Sequence, residues 1–478
     1  MLTARNIHYE LAGRSQGIAS GGIGSMQLLA RKIGLVDAID RRLHLLKIHL
    51  PYHESDHVLN IAYNILCGGT CLEDIELRRN DVVFLDALGA ERIPDPTTAG
   101  DFCRRFAATD VLELQEAFDE VRVRVWRAQP ETFFAEAFID MDGTLVETTG
   151  QCKAGMDIAY DGTWGYHPLL LTLANTGEWL CVLNRSGSRP SHEGATEATD
   201  DAIALCFRGG FRRILLRGDT DFTQTRQLDR WSDDPRIRFI FGIDAMPVLC
   251  GIADDLPQNA WRKLARRVKH QRRGESRRRP KNVKEQIVRE REFENIRLKS
   301  EDIAEFDYRP SACKKTYRMV VVRKNLSVER GELALFDDVR YFFYITNDRA
   351  STAEAIVVEA NGRSNQENLI EQLKNGARAL LAPVDNLVSN WAFMVMASLA
   401  WNLKAWWALM LPEKRGRWAE QHRSGKEAVL KMEFKKFLAC FMQMPCQIVR
   451  TGRRIVYRLL AWNPWQRIFF RVHEVLRC

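Results

Sequence analysis

Two short runs of large apolar residues end in aspartate, and they constrain the fold more than any other feature of the chain: Phe138-Ile-Asp-Met-Asp142-Gly and Ile214-Leu-Leu-Arg-Gly-Asp219. Stretches of this kind, rich in aromatic and β-branched residues and closed by Gly or Thr, read as buried strands, here predicted over 133–142, 213–216 and 237–243. Shorter strands are expected over 144–149, 169–173 and 179–184, and helices over 196–207 and 223–231. A strand-rich start running into alternating strands and helices is the order of an α/β, RNase H-like core, in which helices cover a sheet and acids gather at one end of it.

A third acid, Glu367, follows a strand predicted over 339–346, on the continuation of a helix that begins near Ser351 or Thr352 and breaks at Asn361-Gly362. Carboxylates brought together from such separated elements repel unless a positive charge lies between them, and two Mg²⁺ ions, which Mn²⁺ can replace, are the usual remedy. That combination points to phosphodiester chemistry. Residues two apart on a strand face the same side, so Asp140 stays open beside Asp142 as the first ligand. Asp219 is favoured over Asp221 because it ends the apolar strand, whereas Asp221 can cap the next helix.

The net charge of +8 conceals an uneven distribution: residues 262–291 hold fourteen Lys or Arg against Glu275, Glu285 and Glu290, so this window is +11 and the remainder −3. A block so dense neutralises backbone phosphates and gives affinity independent of sequence, which makes double-stranded DNA the expected partner and Arg277, Arg278 and Arg279 candidate contacts. A second basic stretch, 450–477, interleaves Arg454, Arg458, Arg467 and Arg471 with Tyr457, Trp462, Trp465 and Phe469; it either grips DNA or packs a helix.

Helical spacing over 25–45, 56–66 and 111–126, with Thr97 or Thr98 capping a helix over 99–106, makes residues 1–130 a helical N-terminal region suited to binding DNA. Residues 131–244 form the first part of the core, 245–335 a basic, β-rich insertion with strands over 317–323 and 332–336, 336–382 the second part of the core, and 383–478 a helical C-terminal region. The eleven cysteines are scattered without metal-site spacing, as expected of thiols in a reducing cytosol. The first residues contain no signal peptide, which favours a cytoplasmic protein. The apolar stretch 391–411 carries Asn402 and Lys404 at its middle, so it reads as a buried helix and not a membrane span.

Arg363, Glu367 and Lys374 stand at the spacings of a Tyr-Arg-Glu-Lys signature, with Ala360 in the tyrosine place. With the order of the acids and the insertion before Glu367, this resembles the DDE transposases of bacterial insertion sequences, within the retroviral integrase superfamily. Gly165-Tyr-His-Pro-Leu169 and the segment 365–374 resemble insertion-sequence family 1380 in particular. The resemblance implies that Asp142, Asp219 and Glu367 are the catalytic residues and Mg²⁺ ligands. Arg363 and Lys374 fall four before and seven after Glu367, positions that share its helix face, so they can bind phosphates flanking the reacting bond. The resemblance also implies terminal inverted repeats and target DNA as partners, a homodimer in the synaptic complex, and a cytoplasmic, nucleoid-associated location.

Two other readings compete. Asp140-Met-Asp142-Gly-Thr also resembles the first motif of haloacid-dehalogenase phosphatases, with Asp140 as nucleophile. That chemistry needs a lysine shortly before a later acidic motif, and only Lys153 lies between Asp142 and Asp219, too close to the first motif. The third reading is a transposase-derived protein that binds DNA without cutting it.

Overall fold

The computed structural model describes residues 15–49, 51–150, 153–264, 295–329, 338–413, 416–452 and 454–477, together with Tyr9 and Gly13. The chain divides into two compact units, one made of Phe138–Asp142 with Arg213–Asn365 and the other of the remaining segments. Arg277, Arg278 and Arg279 and the strand expected over 332–336 lie outside the described residues.

The unit containing Phe138–Asp142 is built on a sheet. Its strands run in the order Arg262–Lys263, Asn295–Tyr308, Tyr317–Glu329, Asp338–Thr346, Ile237–Ile243, Ile214–Gly218 and Ala137–Gly143. Ile214–Gly218 and Ile237–Ile243 are parallel, with Leu216 opposite Phe239 and Gly218 opposite Phe241. From Ile237–Ile243 outward through Asp338–Thr346, Tyr317–Glu329 and Asn295–Tyr308 every pairing is antiparallel. Every residue of Ile214–Gly218 is buried, as a strand covered on both faces requires. One cover is the helix Ala353–Gly362, whose Ala353, Ile356 and Val357 pack with Leu215, Ile240, Ile303, Val320 and Val322. Another cluster joins Trp231, Phe239, Phe241 and Tyr317 through ring contacts. Each fully buried side chain of this size contributes roughly 1.5–3 kcal/mol.

Several elements differ from expectation for local reasons. The stretch 133–142 is a strand only over Ala137–Gly143, preceded by a 3₁₀ turn at Glu131–Phe134. The helix expected over 223–231 is shortened to Leu228–Asp233, after two 3₁₀ turns at Thr220–Phe222 and Thr225–Gln227. Asn295–Tyr308 is a fourteen-residue strand that the sequence pattern did not reveal.

The other unit is mainly helical. Ile23–Lys32 and Leu35–Arg42 replace the single helix expected over 25–45, because Gly34 adopts φ 71 and turns the chain between them. Glu54–Leu66 and Ala108–Arg127 follow the predicted periodicity. The cap of Pro96–Arg104 is Asp95, not Thr97 or Thr98: its carboxylate accepts from the Thr98 backbone N–H at 2.9 Å and from the Thr98 hydroxyl at 2.8 Å.

Leu387–Leu409 is buried from Ser389 onward, and no described helix is long and apolar enough to cross a membrane. Its neighbours explain how so many polar groups enter the interior. Glu178, fully buried on the strand Glu178–Leu183, accepts from Trp406 at 2.7 Å, Trp126 at 2.9 Å, Thr176 at 2.6 Å and Arg122 at 3.2 Å. Arg122 also donates to the Trp179 carbonyl at 2.6 Å. A charge shared among this many donors is tolerable inside protein; an unshared one is not.

Beyond residue 383 the chain is not wholly helical. Cys446–Thr451 and Arg454–Leu459 form an antiparallel pair, so the first half of the basic stretch 450–477 is a hairpin and only Gln466–Arg477 is a helix. Alternating Ile448, Ile455 and Tyr457 around the turn at Gly452 favour strands there.

Candidate active site

The strand Ala137–Gly143 alternates strictly. Ile139 and Met141 are fully buried on one face, and Asp140 and Asp142 share the other. Their environments then diverge. Asp140 is buried and gripped by Arg217 of the neighbouring strand, with Nε to Oδ1 at 2.6 Å and Nη2 to Oδ2 at 2.8 Å. Burial pushes its carboxyl above the ordinary value, and the Arg217 guanidinium pulls in the opposite direction. Asp142, nearer the strand end, keeps 15% of its side chain exposed.

Asp219 follows the strand Ile214–Gly218 in extended backbone and accepts from the Asp221 backbone N–H at 3.1 Å. It therefore caps the 3₁₀ turn Thr220–Phe222, which contains Asp221; the helix Leu228–Asp233, which Asp221 was expected to cap, starts after Gln227 with no side-chain cap. Gly218 makes this turn possible: a Cβ there would stand 2.9 Å from Phe222 Cβ and 3.2 Å from both Met141 and Phe241. The two strands thus close without a side chain between them just before Asp219.

Arg363 lies directly after the helix Ala353–Gly362 and brings the two acids into one electrostatic group. Its Nη1 is 3.1 Å from Asp142 Oδ2 and 3.6 Å from Asp219 Oδ2, with side-chain exposures of 17% for Arg363 and 35% for Asp219. One guanidinium thus stands within ion-pair distance of both carboxylates. Beside them opens a cleft of ≈ 380 Å³ lined by Asp219, Thr220, Asp244, Tyr341, Tyr344 and Arg363.

The start of the helix is anchored separately. Asp348 accepts from Arg238 at 2.5 Å, from the Ala350 and Ser351 backbone N–H groups at 2.8 and 3.0 Å, and from the Ser351 hydroxyl at 2.6 Å. Burial raises its carboxyl, but these donors outweigh burial and hold it at about 2. Thr352 then caps the helix through the Ala355 N–H at 3.2 Å, as the sequence suggested.

Glu367 lies in the other unit, exposed on the helix Ser364–Glu371. A π turn, Gln372–Gly376, succeeds this helix and breaks the regular spacing that had placed Lys374 on the face of Glu367. Lys374 Nζ donates to the Leu145 carbonyl at 2.7 Å, and burial lowers its pKa. Among the described residues no group of three or more His, Cys, Asp or Glu is gathered closely enough to hold a metal ion. His167 is buried, with its Nδ1 3.2 Å from the Arg189 carbonyl.

The sequence separated Asp142 from its rival Asp140 only weakly and gave no notice of Arg217. The missed signal was a lone arginine inside the apolar run Ile214-Leu-Leu-Arg-Gly, since a charge in a buried strand requires a partner.

The family described as Transposase DDE domain group 1 matches this chain over residues 2–478. The chain belongs to this transposase family. The transposase is a mixed α/β protein, and its function is DNA transposition. No curated protein matches it. Among solved structures it is similar to the piggyBac transposase in a synaptic complex with hairpin DNA, with 10% identity, a TM-score of 0.38, and coverage of 88% of this chain and 79% of that one.

Proposed function

We propose that this transposase cuts the ends of its element and joins them to target DNA with Asp142, Asp219 and Glu367 as the catalytic carboxylates, on an RNase H-like core. One observation carries the reading: Asp142 and Asp219, from separate strands, converge on the single positive group of Arg363 at 3.1 and 3.6 Å. The donor chemistry fits Mg²⁺ or Mn²⁺, because ionised carboxylate oxygens are the hard ligands those ions take. When bound, a pair of such ions supplies an activated oxygen nucleophile and stabilises the leaving oxygen in phosphoryl transfer.

The chain's own residues do the rest. Asp142 and Asp219 provide fixed negative charge at the strand ends, and Glu367 is the third ligand. Arg363, already placed against both aspartates, neutralises a phosphate oxygen next to the reacting bond. Lys374 takes a flanking phosphate, and Arg277, Arg278 and Arg279 grip the DNA backbone. The partners are the terminal inverted repeats and target DNA, with two protomers in the synaptic complex. The signature around Arg363, Glu367 and Lys374 supports a bacterial, insertion-sequence 1380-like element acting in the cytoplasm at the nucleoid.

The phosphatase alternative loses its nucleophile, since Asp140 is buried and its carboxylate oxygens are both engaged by Arg217. The test is end cleavage on DNA carrying the element's inverted repeats, in Mg²⁺ and in Mn²⁺. Asp142→Asn, Asp219→Asn and Glu367→Gln are each expected to lose at least about 10³-fold in cleavage while still binding DNA. Wild-type cleavage by Glu367→Gln would remove that residue from the set. A wild-type protein that binds the ends but never nicks them would establish the binding-only alternative.

A further inference from the structure

We propose that Arg217 is a positioning residue that sets Asp142, Asp219 and Arg363 relative to one another, an inference that rests on the catalytic reading above. Arg217 stands two residues before Asp219, and its partner Asp140 stands two residues before Asp142. The bidentate pair therefore ties together the strands that deliver the two acids, one side-chain repeat behind each of them. A third contact reaches the next element: Arg217 Nη1 donates to the Glu359 carbonyl at 2.9 Å. That carbonyl is in the last turn of the helix Ala353–Gly362, and the residue following this helix is Arg363.

One guanidinium thus joins the three elements whose ends carry the candidate site. The surrounding chain makes room for it. A Cβ at residue 362 would stand 2.5 Å from Arg217 Nη1, so Gly362 keeps the path to the helix end open. Phe138, on the same strand face as Asp140, lies with its ring centroid 5.4 Å from the Arg217 guanidinium carbon. Buried ion pairs of this kind add little net stability, because desolvation offsets their attraction; in this proposal the pair instead fixes the relative geometry of the three elements. Lysine keeps the charge but has no planar fork to span both Asp140 oxygens and the carbonyl together.

The test compares Arg217→Lys, Asp140→Asn and the double variant Asp140→Leu/Arg217→Met, which replaces the pair with apolar side chains, against Asp142→Asn. Folding is followed by thermal unfolding, Mn²⁺ binding to DNA-free protein by electron paramagnetic resonance, and end cleavage as kcat and KM for DNA. The double variant is expected to unfold within a few degrees of wild type, bind Mn²⁺ about tenfold more weakly, and lose about 10²-fold in kcat with KM unchanged, the scale of an ångström-sized misplacement. Arg217→Lys should retain more kcat than the double variant. If a folded double variant binds Mn²⁺ and cleaves as wild type does, the positioning role is wrong. Should the double variant not fold, Arg217→Lys decides alone: wild-type Mn²⁺ affinity and kcat would overturn the proposal. Asp142→Asn separates the two levels, because retained cleavage and Mn²⁺ binding in that variant would defeat the catalytic reading itself.

Discussion

Each unit of this transposase contains a buried arginine–carboxylate pair, Arg122–Glu178 in one and Arg217–Asp140 in the other, and the two pairs serve different ends. Arg122 and Glu178 sit in the helical unit among Trp126, Trp406 and Thr176, and all four of these residues other than Glu178 donate to its carboxylate. Arg217 and Asp140 sit in the sheet unit one side-chain repeat behind two acids that reach solvent. The first pair is the hub of a packed interior, and losing it would strand several buried donors at once. The second holds few partners but stands where strand ends must be aligned. Burial and charge alone do not separate the structural pair from the functional one; what does is the distance along the strand to an exposed acid.

The comparison breaks most directly at Glu178. Glu178→Ala leaves Trp126 and Trp406 without their acceptor and takes one of two carboxylate partners from the buried Arg122, and should cost about 3–5 kcal/mol in chemical denaturation, whereas Asp142→Asn should leave the denaturation midpoint almost unmoved. Equal losses from the two would erase the contrast. Lys404, in the same helical interior, has one carbonyl acceptor, Leu430 at 3.1 Å, and lies 4.2 Å from the Trp401 ring centroid; burial lowers its pKa to about 7. Between that value and its unfolded value of 10.5 the unfolded chain holds the proton and the native chain does not, so stability rises with pH across this window. Lys404→Met should therefore gain on the order of 3 kcal/mol at pH 7, shrinking toward pH 10.5, and flatten the rise. A parallel stability curve for the variant would refute this.

Asp348 sharpens the sheet side. Its pKa is lowered from 3.8 to about 2, so its contribution is present above 3.8 and is lost as pH falls through 2; Asp348→Ala should cost about 1–2 kcal/mol at neutral pH and remove that part of the acid sensitivity. The smallest effect is expected from the basic block. Replacing Arg277, Arg278 and Arg279 with alanine should leave stability unchanged and reduce the log–log salt slope of DNA binding by roughly 0.9 per lost phosphate contact. An unchanged slope would dissociate this block from DNA.

What the sequence revealed follows from how local each cause is. The strands Leu169–Leu173 and Ile237–Ile243 were legible to the residue because runs dominated by Leu, Ile and Phe lie between turn residues. The strand ends at Asp142 and Asp219 were legible for the same reason. Asn295–Tyr308 was not, because Glu301, Asp302, Glu305 and Asp307 make it look like a loop; it is held by a partner strand, with Glu305 2.8 Å from Arg318 Nε and Asp302 3.4 Å from Arg323. The difference in surroundings between Asp140 and Asp142 was hidden in the same way. It depends on Arg217, which lies 77 residues away in the chain and can be matched to Asp140 only once the strands are neighbours.

The paired strands Asn295–Tyr308 and Tyr317–Glu329 also set a length scale. Thirteen extended residues reach at most about 45 Å. A full turn of duplex DNA advances by about 34–36 Å. The pair is therefore longer than one helical repeat of a duplex laid along it. Trimming or extending it by whole two-residue steps would change that span while leaving each strand's inward and outward faces as they are.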